Sequence, residues 1–118
     1  LTAAYYDPSG RRVTLEEAMT RSQAFMALVS KSYLIDIRNR DPRITSEIKR
    51  AEDYRTPTFL FFFEDLSEVE KNEAVRIFAN HNVIKTYDNM PKRPGLELDH
   101  RLHSILPEIR KILKEIYR

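Results

Sequence analysis

The chain has 118 residues, 42% of them apolar and 32% charged, a balance that fits one folded domain with a single core and excludes a disordered segment. Its formal charge of +2 is too small to argue for a nucleic-acid partner, and the absence of cysteine removes disulfides, thiolate metal sites and cysteine nucleophiles together. No apolar run approaches the roughly 20 residues that span a bilayer and no stretch reads as a signal peptide, so the expected setting is the cytoplasm, away from membranes.

Residues 1–6 read as a strand, closed by the turn residues Asp7, Pro8, Ser9 and Gly10, with Arg11 and Arg12 in the same loop. Thr14 with Glu17 three positions later is a capping-box pattern. It predicts a helix to about Arg21 that buries Leu15, Ala18 and Met19. Residues 24–29 are apolar without alternation, which predicts a parallel strand buried on both faces. Residues 31–43 read as a charge-rich loop anchored by Tyr33, Leu34, Ile35 and Ile37. Thr45 or Ser46 is placed to cap the following helix, which sets Glu47 among Ile44, Ile48 and Ala51 and ends near Tyr54 and Arg55.

The most apolar stretch, residues 58–63, predicts the central strand. Ser67 and Glu70 form a second capping box, opening a helix with Val69, Ala74, Ile77 and Phe78 turned inward. Residues 83–87 read as a more polar edge strand, and residues 88–98, with Pro91, Pro94 and Gly95, as a loop. The last helix starts near Asp99 and repeats Leu102, Ile105, Ile109, Ile112 and Ile116 at helical spacing, with Pro107 inside. Strand and helix therefore alternate four times. That order predicts a flavodoxin-like three-layer α/β/α domain with a parallel sheet, one domain over residues 1–118.

The wording of particular stretches adds to this pattern. SQAFMALVSKSYL from Ser22, then SEIKRA from Ser46, then TPTFLFFFED from Thr56, resembles the Toll/interleukin-1 receptor (TIR) domain. YYDPSGRRVTLEEAM looks like that family's second strand and the loop after it. The resemblance covers nearly the whole chain and implies that the family's usual first strand and helix are lacking, as in an N-terminally incomplete domain. A second departure lies before Glu47, where Asp41-Pro42-Arg43-Ile44 stands in place of the family's frequent Trp-Cys pair.

TIR domains include NAD+-cleaving enzymes and adaptors that assemble through TIR–TIR contacts. The resemblance implies Glu47 as the catalytic carboxylate of an NAD+ hydrolase acting in signalling or defence. Ser30 and Ser32, with Asp7, Gly10 and Arg11 of the first loop, would be substrate-binding. NAD+ would be the substrate, with no further cofactor. The other reading is a scaffold that binds TIR-like domains or a second copy through residues 7–12 and 36–43. A third is a nucleoside-processing transferase on a related sheet.

The residues taken alone leave these alternatives open. Glu47 also suits a helix first turn by favouring the macrodipole, Ser30 and Ser32 suit any strand-to-loop junction, and Arg11 and Arg12 suit a solvated loop. Tyr5 and Tyr6 suit a core strand. His81, His100 and His103 are too dispersed to read as a metal site. With Gly10 and Gly95 as its two glycines, the chain has no Gly-rich phosphate loop.

Overall fold

The computed structural model describes residues 5–6, 11–14 and 24–117, residues 5 and 6 by backbone alone. Strands β1 (Tyr5–Tyr6) and β2 (Arg12–Val13) pair antiparallel. Strands β3 (Phe25–Val29), β4 (Thr58–Phe63) and β5 (Val83–Met90) form a parallel sheet in the order β3-β4-β5. Among the described residues four helices flank it: α1 (Lys31–Arg38), α2 (Pro42–Asp53), α3 (Glu68–Ile77) and α4 (Leu96–Ile116). The result is an α/β, flavodoxin-like, three-layer arrangement.

Two apolar clusters fill the layers. On one face Ala27, Val29, Leu60 and Phe62 meet Leu34 of α1, Ile44 and Ile48 of α2, and Ala74 of α3. On the other face Phe59, Phe61, Tyr87 and Met90 meet Ile105 and Ile109 of α4. β4 is central because both of its faces are lined by large apolar side chains, and residues 58–62 are all buried.

Several local expectations hold. Ser67 accepts the Glu70 amide and the Glu70 carboxylate accepts the Ser67 amide, closing the capping box that starts α3. β5 is an edge strand of its sheet, as its polar residues require. The expected helix over residues 14–21 falls almost wholly outside the described residues.

Others are corrected. The first strand does not join the parallel sheet: Tyr5 and Tyr6 pair with Val13 and Arg12, so Arg12 is strand and not loop. Residues 31–38 are helix α1 and not loop. No glycine or proline interrupts them, Tyr33, Leu34 and Ile37 fall on one helical face, and the Ser30 hydroxyl accepts the Tyr33 amide as N-cap. Ile35 lies on the other face and is exposed.

Helix α2 is capped by Asp41, not by Thr45 or Ser46. Asp41 accepts the amides of Arg43 and Ile44, and Pro42 takes the first position, where its missing N–H costs nothing. Val69 is 73% exposed, because it lies five positions before buried Ala74 and so about 140° round the helix from it. β5 continues to Met90 past Asn89, which takes the left-handed conformation (φ 56°) at an irregularity in its pairing with β4. Helix α4 begins at Leu96 and runs through Pro107, which cannot donate to the carbonyl of His103.

The largest correction concerns β3. Burial on both faces was the expectation, yet Met26 and Leu28 are 44% and 43% exposed. They point to the α4 side of the sheet, where α4 covers β4 and β5 and does not reach β3.

Candidate functional site

Parallel strands all end at one edge of a sheet, and open α/β sheets place their ligand sites there. In this chain that edge carries a cleft of about 410 Å³. Ser30, Lys31 and Ser32 enter it from the junction of β3 and α1, Phe63 and Asp65 from the end of β4, and Lys92, Pro94 and Leu98 from the segment between β5 and α4. The expected pair Ser30 and Ser32 is therefore together in one site, with hydroxyls 3.0 Å apart.

The cleft walls are fixed by short-range chemistry. Ser30 is held by its capping bond to the Tyr33 amide at 3.1 Å. The Glu64 amide donates to the Met90 carbonyl at 2.9 Å and the Lys92 amide to the Glu64 carboxylate at 3.3 Å, pinning the segment after β5 beside the end of β4. Lys31 reaches the Glu70 carboxylate at 3.3 Å. Bonding to the Ser67 amide, then to the Ser67 hydroxyl and Lys31, holds the Glu70 carboxyl below its ordinary range. Among the described residues, neither the Asp65 carboxylate nor the Lys92 ammonium has a hydrogen-bond or ion-pair partner, and they do not pair with each other.

Glu47 is half-buried on α2 and does not line this cleft among the described residues. Its charge acts on Tyr33, which lies in the first turn of α1. Burial pushes the Tyr33 phenol well above its ordinary value of 10.0, and the negative charge of Glu47 pushes it further. Arg11 is exposed beside β2, while Asp7 and Gly10 lie outside the described residues. The structure thus brings Ser30 and Ser32 into one cleft and leaves Glu47 on α2, outside the lining of that cleft.

Asp65 and Lys92 were missed as site residues. The sequence signal for them is positional, since each follows the end of a predicted strand. Other hollows lie elsewhere among the described residues, one along α2 at Thr45, Ser46, Lys49, Arg50 and Asp53, and one at the amino ends of the strands near Glu52, Arg55, Asn80 and His81. Neither gathers groups from the carboxyl ends of the strands. His81 is half-buried and held in place: its Nε2 bonds the Ile48 carbonyl at 2.8 Å and its ring meets Phe78 edge-on at 4.9 Å. His103 Nδ1 bonds the Asp99 carbonyl one helical turn back.

No helix among the described residues is long and apolar enough to cross a membrane. In comparison with known proteins, no family model, no curated protein and no solved structure matches the chain.

Proposed function

We propose that this domain is a TIR-like enzyme that cleaves NAD+ at the bond between nicotinamide and ribose, in the cytoplasm and in the service of signalling or defence. Glu47 is its catalytic carboxylate. The observation that supports the reading is that the charge of Glu47 on α2 acts on Tyr33, in the first turn of the helix whose start carries Ser30 and Ser32. The resemblance of residues 22–51 to the TIR pattern supports the same residue.

The chemistry asks little more than a placed negative charge. Nicotinamide leaves with the electron pair of the C–N bond and becomes neutral, so the leaving group needs no protonation. Positive charge then grows on the ribose C1′ and O4′, and a carboxylate nearby lowers the energy of that state. Water adds at C1′ and its proton passes to the carboxylate or to solvent. Ser30 and Ser32 offer hydroxyls to the sugar or phosphate. The test is nicotinamide release from NAD+, followed by chromatography at low and high protein concentration, for the parent chain and for Glu47→Gln. Release that falls at least about a hundredfold in the variant supports the reading; silence from the folded parent at every concentration overturns it.

A second reading, a non-catalytic module that binds other TIR-like domains or a second copy, is favoured by one observation. Met26 and Leu28 leave apolar side chains in water on the half-covered face of the sheet.

A further inference from the structure

We propose that the strand-end cleft binds the phosphoribosyl part of a nucleotide, with Asp65 accepting hydrogen bonds from the ribose hydroxyls and Lys92 facing the phosphate. The argument starts from charge. Lys31 is engaged by Glu70, so among the described residues that line the cleft the cation left for a ligand is Lys92, and the anion left is Asp65. A free anion such as phosphate meets the Asp65 carboxylate as well as the Lys92 ammonium, and a simple cation meets the reverse. A ligand that satisfies both presents hydroxyl donors at one end and negative charge at the other. Ribose phosphate does this: a vicinal diol suits a carboxylate, as at the acidic residue of dinucleotide folds, and a phosphate suits an ammonium.

The remaining lining agrees with that class. The Ser30 and Ser32 hydroxyls donate or accept as the ligand requires, and Phe63, Pro94 and Leu98 supply apolar surface for a base. The volume of about 410 Å³ lies within the range of small-molecule sites. The assignment rests on the NAD+-cleaving reading in taking the nucleotide half of the same substrate, and it adds two residues which that reading does not name.

The experiment is titration of the full chain with AMP, adenosine and inorganic phosphate, read by calorimetry and by backbone amide NMR shifts. AMP is expected to bind more tightly than adenosine or phosphate, moving the amides of Phe63, Asp65, Lys92 and Leu98. Lys92→Ala is expected to weaken AMP about tenfold and to leave adenosine nearly unchanged. Asp65→Asn is expected to weaken AMP and adenosine alike and to spare phosphate. No binding of AMP by the folded parent, shifts confined to another surface, phosphate binding as tightly as AMP, or indifference of AMP to both substitutions would each overturn the assignment. AMP has no nicotinamide bond, so the two proposals fail separately. AMP seated in the cleft without nicotinamide release from NAD+ keeps the cleft and removes the Glu47 chemistry, and release without AMP in the cleft does the reverse.

Discussion

Among the described residues, α1, α2 and α3 lie over Ala27, Val29, Leu60 and Phe62 on one face of the sheet; on the other α4 alone lies over Phe59, Phe61, Tyr87 and Met90, and Met26 and Leu28 beside them face water. The strands themselves give no hint of this inequality. FMALV of β3 and TFLFFF of β4 are both unbroken runs with little polarity. Their difference comes from position, since β4 has a strand on each side and helices above and below, while β3 has a covered face and a half-open one. An apolar run therefore reports that a strand is compatible with burial, and the layer around it decides how much burial it receives.

The comparison is broken most forcefully in the covered layers. Phe61→Ala, under α4 and stacked on Tyr87 at 5.1 Å, is expected to cost about 3–5 kcal/mol by urea denaturation, with Leu34→Ala on the opposite face costing about 2–5 kcal/mol. A cost near 1 kcal/mol for Phe61→Ala would mean that α4 packs loosely and that the two faces are less alike than their burial indicates.

A smaller effect, confined to high pH, sharpens the three-helix face. The Tyr33 phenol has a folded-state pKa raised above 10.0, by burial first and by Glu47 second. The folded state thus keeps a proton that the unfolded chain releases. The stability from this difference is complete below pH 10 and is lost as pH climbs above it toward the folded value. Tyr33→Phe, which cannot ionise, should lose less stability than the parent between about pH 9 and pH 11, in denaturation midpoints measured at each pH. Equal losses would separate Tyr33 from its buried setting and from the charge of Glu47.

The smallest effect belongs to the half-covered face. Leu28→Ala should cost about 1 kcal/mol or less, because 43% of the residue is already in water. A loss of 2 kcal/mol or more would show that something covers β3 in solution. Sedimentation of the parent and of Leu28→Lys then tells whether that cover is a second copy: an oligomer that dissociates in the variant favours the assembly reading, and a monomer in both removes it.

The legible parts of the fold are those whose causes lie within a few residues. Ser67 and Glu70 exchange bonds across three positions, so their capping box could be read directly, and the unbroken apolar stretch before Glu64 marked the central strand. The start of α2 was misread because Thr45 looks like a cap, while Asp41 followed by Pro42 is the stronger one. Helix α1 was missed because charge was weighed above the spacing of Tyr33, Leu34 and Ile37.

By itself the sequence determined an α/β chain with strand-end serines and a glutamate on a helix further along, since capping, apolar runs and helical spacing are local properties. Only the tertiary structure decided that Tyr5 and Tyr6 pair with Val13 and Arg12, that Met26 and Leu28 face water, and that Asp65 and Lys92 meet Ser30 and Ser32 in one cleft. Those facts depend on which strands neighbour each other and in what register. Parallel pairing brings the ends of β3, β4 and β5 side by side across intervening helices, and no short-range pattern in the chain encodes that alignment.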